Sequence, residues 1–310
     1  VDTLSFQASD GLDIMYRRWL PTDQPVRGAV QIAHGMAEHA GRYAWFAEIL
    51  TAQGIAVYAN DHRGHGLTAG DDARMGFFAD SNGWDLVVGD MKTLNDRIRE
   101  DHPGRPLFLF GHSMGSFLSR DFIARYGDTL SGVILSGTAG HPGLLGHLGF
   151  GVARLQALIK GARALSPLMD SLSFGSYAKA FKPQRTPFDW LSRDSDQVDA
   201  YIRDPFCGFI ASAGFYMDLI SGLIRVNRTD LIARTPKDLP IYLFSGAMDP
   251  VGNNTRGVRK VHDAFQRAGM TDLTLRFYEE GRHEMLNEIN RDQVADDVLR
   301  WITQHLEKTP

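Results

Sequence analysis

One cysteine, Cys207, is the whole thiol content of this 310-residue chain. That excludes an intrachain disulfide and a multi-thiolate metal site, so nothing requires an oxidising compartment, and the residue reads as a small buried apolar side chain. Long apolar runs are missing too. No stretch approaches the roughly 18–20 residues of a transmembrane helix, and Val1-Asp2-Thr3 opens no basic region followed by an apolar one, so a secretory signal is not expected and a cytoplasmic protein is. Neither sign of charge dominates. Lys+Arg 33 against Asp+Glu 37, net charge -4, gives no support to a nucleic-acid partner. With 43% hydrophobic and 23% charged residues the composition is globular rather than disordered. The length fits two nominal domains or one large α/β domain with an insertion.

What is there begins with alternation. Residues 3–9 and 12–20 meet at Asp10-Gly11, a hairpin signal that predicts an antiparallel edge. Short apolar runs at Gly28–Ala33, Ile55–Asn60, Leu107–Phe110 and Val133–Ser136 suit strands buried on both faces, and helical patterns at about 43–53, 82–100 and 114–126 separate them. From 140 to 232 the strand signal stops. Leu144, Leu148, Val152, Leu155, Ile159 and Ala162, then Phe209, Ala213, Met217, Ile220 and Ile224, recur at helical spacing. The alternation resumes with a strand at Ile241–Ser245, a helix at 254–268, a strand at Leu273–Tyr278 and a helix at about 288–307. These patterns predict an α/β fold with a mostly parallel central sheet flanked by helices. Its core comprises residues 1–139 and 233–310, interrupted by a helical cap at 140–232.

The sharpest local signal is Gly111-His112-Ser113-Met114-Gly115, between a strand and a helix. In a nucleophile elbow the serine sits on a strained turn, and the flanking positions must be tiny so that strand and helix can approach. A serine hydroxyl is a weak nucleophile until a base takes its proton, so the elbow predicts an acid and then a histidine further along the chain. Asp249 follows the strand at 241–245, and His283 follows the last strand. The developing oxyanion needs two backbone N–H donors: Met114 supplies one, and Met36, in the loop after Gly28–Ala33, is the candidate for the other. His34, His39, His62 and His65 show no HExxH spacing, so neither a metal nor a cofactor is expected. Asp61-His62-Arg63-Gly64-His65-Gly66 lacks a third glycine and an obvious following helix, and reads as a structural turn at a strand end.

Together these pieces resemble the monoacylglycerol lipase and lysophospholipase branch of the α/β-hydrolases. The resemblance rests on His34-Gly35-Met36-Ala37-Glu38-His39-Ala40-Gly41-Arg42-Tyr43, the DHRGHG run at 61–66, the GHSMG elbow, Ser245-Gly246-Ala247-Met248-Asp249 and Gly281-Arg282-His283-Glu284. It implies Ser113 as nucleophile, His283 as base, Asp249 as its orienting partner, and the Met36 and Met114 amides as oxyanion hole. It also places Glu38 and Arg42 near the alcohol side of the pocket, where an ion pair bracing the loop is an equal reading. One position departs: mammalian monoacylglycerol lipases carry a second histidine three residues after the catalytic one, where this chain has Leu286.

The implied activity is hydrolysis of monoacylglycerol- or lysophospholipid-like esters through an acyl-enzyme, with a small ester or lipid as the partner and transient contact of the cap with a membrane surface. Three rivals share the scaffold: an esterase for small or aromatic monoesters, a peptidase or carbon–carbon bond hydrolase, and a non-catalytic binding or signalling protein.

Overall fold

Residues 1–70, 74–175 and 177–306 are described by the computed structural model. Eight strands, β1 (Asp2–Gln7), β2 (Asp13–Trp19), β3 (Gly28–Ala33), β4 (Ile55–Asn60), β5 (Leu107–His112), β6 (Gly132–Ser136), β7 (Ile241–Gly246) and β8 (Leu273–Tyr278), form one sheet in the order β1-β2-β4-β3-β5-β6-β7-β8. The β1–β2 and β2–β4 pairs are antiparallel and the remainder parallel. Every residue of β3 to β7 is buried, which is why these strands read as unbroken apolar runs rather than alternating ones. The expected hairpin is present, with Gly11 at φ 83 in the turn.

Helices Gly83–Asp101, Met114–Tyr126 and Arg256–Arg267 pack on one face of the sheet through Trp84, Phe117, Phe122 and Phe265; Ala44–Thr51 and Arg291–Leu306 cover the other through Phe46, Leu50, Val298 and Trp301. Two of these helices start later than the pattern predicts. Asn253, Asn254 and Thr255 all have positive φ, which holds the backbone out of the helical region until Arg256. The last helix starts at Arg291 because Met285–Asn287 forms a 3₁₀ turn and Glu288 is extended.

The DHRGHG run is a structural corner, and a single helical turn, Gly66–Ala69, does follow it, contrary to the sequence expectation. Four residues are too few to show a 3.6-residue period. Arg63, almost wholly buried, ties the corner to its surroundings by pairing with Asp90 at 2.6 Å and with the hairpin residue Asp10 at 2.6 Å. Asp61 accepts from the Ala40 N–H at 2.7 Å and the Leu67 N–H at 2.8 Å, and faces Arg17 at 3.3 Å.

Between β6 and β7 the chain makes the helices Gly143–Lys160, Pro167–Ser173, Ser195–Arg203, Ala213–Val226 and Thr229–Ile232. Polar caps start three of them: Ser166 accepts from the Met169 N–H, Asp194 from Asp196 and Gln197, and Ser212 from Phe215. Helix Ala213–Val226 lies against the core, where Gly222 meets the Trp84 ring closely enough that no side chain would fit. Helix Gly143–Lys160 lies over it and buries only Ala153. Of the residues that mark its periodicity, Leu144 is 75%, Leu148 59%, Leu155 58% and Ile159 73% exposed, and the neighbouring Leu145 and Leu158 are 80% and 75% exposed.

Candidate active site

Strands β3, β5, β7 and β8 run parallel, so the loops that follow them gather at one rim of the sheet. The chain reverses its direction of travel across the sheet beside β3, and in open α/β sheets the carboxyl ends of the strands at such a point form the ligand crevice. Ser113 follows β5 there, with φ 51 and ψ -119, a backbone conformation that costs a non-glycine residue strain. Its neighbours explain how the turn is possible. A Cβ on Gly111 would sit 2.6 Å from the Gly115 carbonyl oxygen, and one on Gly115 would run into the Ala33 carbonyl. The Ser113 N–H donates to the Ser136 carbonyl at 2.9 Å, pinning the elbow to β6.

Asp249 follows β7 and is fully buried. Its Oδ1 accepts from the Val251 N–H at 2.9 Å and lies 2.9 Å from His283 Nδ1, while the Ser245 hydroxyl donates to Oδ2 at 3.1 Å. A carboxylate only accepts, so the imidazole proton sits on Nδ1 and Nε2 is left as the basic nitrogen. Burial pushes the imidazole towards its neutral form, but the Asp249 charge and hydrogen bond outweigh it, and the His283 pKa is raised. The Trp190 ring, 5.1 Å away centroid to centroid, packs on His283, and the Trp190 carbonyl accepts from the His283 N–H at 3.3 Å.

Met36 lines the same cavity as the serine, and Met114 follows the serine in the chain. Met114 opens its helix, so its N–H belongs to the first turn, which has no acceptor within the helix. A Cβ on Gly35 would lie 3.3 Å from Ser113 Cβ, which places the Gly35-Met36 loop directly against the nucleophile position. Glu38 Oε1 accepts from the Gly35 N–H at 2.6 Å, and the Ala37 carbonyl accepts from the Tyr201 hydroxyl at 2.9 Å and the Gly208 N–H at 3.0 Å.

Ser113, His283, Met36 and Glu38 line one cavity of about 750 Å³ including its mouth, whose walls are otherwise largely aromatic and aliphatic. Arg42 is not on its surface but borders a smaller cavity behind, together with Leu286. It pairs with Glu38 at 2.8 Å and grips Glu284 with two bonds of 2.7 Å. The ion-pair reading of Glu38 and Arg42 is therefore the one the geometry displays, with Glu38 also at the cavity wall. Burial raises the Glu284 carboxyl, but the Arg42 guanidinium overrides it and holds it down at about 2.

Glu284 escaped the sequence reading. Its only signal was adjacency to His283, and nothing in the local pattern points it at a residue 242 positions away. Trp190 and Tyr201, from the segment between β6 and β7, also line the cavity unforeseen.

Among the described residues, His39, Asp204 and Cys207 place one ligand-type atom each within 4.8 Å of one another. His39 Nε2 already bonds Asp204 at 2.9 Å, and burial pushes the Cys207 thiol up, so it keeps its proton and offers no thiolate. Cys207 is half-buried and packs beside Phe188 and Tyr201 in a small apolar cluster.

A strained serine on a strand-to-helix turn, sharing a cavity with a carboxylate-anchored histidine at the rim of a mostly parallel sheet, defines a serine hydrolase of the α/β-hydrolase fold. Residues 24–290 match the model of the family described as serine aminopeptidase, S33, and the chain belongs to that family. It is 32% identical to the monoacylglycerol lipase of Mycolicibacterium smegmatis over 97% of both chains, and 27% identical to the human monoglyceride lipase over 96% of this chain and 88% of that one. Among solved structures, a thermostable carboxyl esterase from Bacillus coagulans in complex with glycerol superposes with a TM-score of 0.91, at 29% identity and 98% coverage of each. No helix among the described residues is long and apolar enough to cross a membrane.

Proposed function

We propose that the chain hydrolyses monoacylglycerol-like carboxylic esters by way of an acyl-enzyme, with Ser113 as nucleophile, His283 as general base and acid, and Asp249 as the group that orients it. The observation that carries this reading is the His283–Asp249 pair at 2.9 Å, whose histidine lines the same cavity as a serine at φ 51. His283 Nε2 takes the hydroxyl proton as Oγ attacks the ester carbonyl. The Met36 and Met114 amides hold the oxyanion, and its collapse expels the alcohol, which receives the proton from His283. Water repeats the sequence and frees the acid. The lipases of M. smegmatis and humans, and the glycerol-bound esterase, support an ester over a peptide substrate and a glycerol-sized alcohol.

In this reading residues 140–232 form a cap on a core made of 1–139 and 233–310, and the outward leucines of Gly143–Lys160 supply the contact with a lipid surface from which a long-chain substrate is drawn. Exposed apolar side chains of this number on one helix are rare on a soluble surface without a partner.

Acid release from a 1-monoacylglycerol and from a short-chain nitrophenyl ester, with Ser113→Ala as the blank, tests the activity. Faster turnover of the long-chain monoacylglycerol is expected. Cleavage of the short ester alone would leave the serine chemistry and remove the lipid, and no release above the blank would leave a binding protein. For the surface contact, Leu145→Ser combined with Leu158→Ser is expected to cut co-sedimentation with phosphatidylcholine vesicles roughly tenfold or more, since about 1.5–3 kcal/mol accompanies burial of each leucine, with little change in hydrolysis of a dissolved short ester. Unchanged sedimentation would locate the contact elsewhere.

A further inference from the structure

The charges around the cavity are one-sided. Glu38, Glu284 and Asp170 line it, and among the described residues no lysine or arginine does. At the inner end Arg42 stands behind the two glutamates, its Nη1 shared between them and its Nη2 on Glu284, so one guanidinium faces two buried carboxylates. The excess is negative, and the guanidinium donors are taken up by the two glutamates. Asp170, on the helix Pro167–Ser173, adds a carboxylate further out. In a water-poor site an uncompensated charge acts much more strongly than on a solvated surface.

The other half of the lining is aromatic. Phe188 and Tyr201 pack with centroids 5.1 Å apart, and Trp190 covers His283. The faces of such rings attract cations, quaternary ammonium groups above all. One of them already does so here: the Arg42 guanidinium carbon lies 4.9 Å over the Tyr201 ring.

We propose that this site accepts acyl esters whose alcohol bears a fixed positive charge, such as choline, alongside esters of uncharged glycerol, and rejects those whose alcohol bears a phosphate. The proposal rests on the ester-hydrolase reading above and deepens it. Chemically it needs nothing new: the acyl–oxygen bond breaks as before, and the departing amino alcohol takes its proton from His283.

Three lauroyl esters measured side by side below their aggregation thresholds decide it: 1-lauroylglycerol, lauroylcholine and 1-lauroylglycerol 3-phosphate, with Ser113→Ala as the blank. The kcat/KM of the choline ester is expected within about tenfold of the glycerol ester or above it, and that of the phosphate ester about a hundredfold or more below, with the gap narrowing as salt is added. Glu284→Gln is expected to lower the choline-to-glycerol ratio by about five- to tenfold, because it removes one charge and keeps a side chain that can still meet Arg42. Asp170→Asn, remote from Arg42, moves the ratio the same way by less. Equal rates for phosphate and glycerol esters, a choline ester no faster than the blank, or a ratio unmoved by both variants overturns the proposal while the glycerol ester is still cleaved. If the glycerol ester too stays at the blank, the ester reading itself falls.

Discussion

Asp249→Asn is expected to fold as the parent does and to lose about four orders of magnitude in kcat, close to 5.5 kcal/mol of barrier. The carboxylate accepts from the imidazole Nδ1–H at 2.9 Å, and that bond decides which ring nitrogen is basic. An asparagine can turn its amide nitrogen to the ring and donate instead, which moves the proton to Nε2 and leaves the serine without a base. Asparagine keeps the size of the side chain and, with its nitrogen turned to the ring, an oxygen for the Ser245 hydroxyl; the one bond given up is that from the Val251 N–H, which shares Oδ1 with the ring, so the loop has no cause to collapse. A second signature separates this from simple damage. Asp249 is the main group raising the His283 pKa against burial, so the acid limb of residual activity should move to lower pH. Turnover of a short ester within about tenfold of the parent, or an acid limb that stays in place, would remove Asp249 from the role given to it.

The second large effect is a loss of stability in mild acid. His34, His62, His65 and His112 are buried, and burial lowers all four pKa values: His34 and His112 to about 4, His65 to about 3, and His62 well down. Hydrogen bonds fix the neutral state. His34 Nε2 must accept, because its partner at 2.9 Å is the His62 N–H, and His34 Nδ1 donates to the Gly35 carbonyl at 2.7 Å. The His34 ring lies 4.2 Å from His62 and 5.1 Å from His65, so a proton on one opposes a proton on the next.

Below about pH 6.5 the unfolded chain binds protons that these folded histidines refuse, and stability falls with pH by about 1.4 kcal/mol per unit for each. Asp90 and Asp218, pushed up to about 6 by burial, take protons in the folded state and offset two of the four. The net loss is about 3 kcal/mol between pH 6 and 5, a large part of the 5–15 kcal/mol typical of a folded domain. Urea unfolding at pH 7, 6 and 5 checks it, and His112→Gln should flatten the slope by about 1.4 kcal/mol per unit. A stability unchanged from pH 7 to 5 would contradict the argument.

The parts of the fold legible in the sequence are those with a local cause. Strands β3 to β7 announce themselves because burial on both faces demands continuous apolar residues. Ser113, Asp249 and His283 could be picked out because each follows a strand end, and the parallel sheet brings those ends together. What the sequence hid depends on partners far along the chain. The clasp of Arg42 by Glu284 has no periodic signature. The leucines of Gly143–Lys160 show a helix with an apolar face, but periodicity cannot say whether that face meets protein or solvent. The one-turn helix Gly66–Ala69 and the delayed start at Arg256 are set by a few backbone angles, below the length at which a pattern exists.

The segment between β6 and β7 is fastened to the rest of the molecule very unevenly. Trp190 and Leu191 receive the backbone N–H groups of His283 and Glu284, Arg193 reaches Glu288, and Tyr201 and Gly208 hold the Ala37 carbonyl. Helix Gly143–Lys160, by contrast, buries one residue of its own, Ala153, and otherwise touches its neighbours through the half-buried Val152 and Gln156. The stretch around 190–208 is thus part of the frame that keeps the histidine and the amide-bearing loop in register, and it cannot be exchanged without disturbing both. The outer helix carries no such duty. None of its residues lines the cavity, so its sequence is free to change what the outer surface meets while the reaction underneath stays the same.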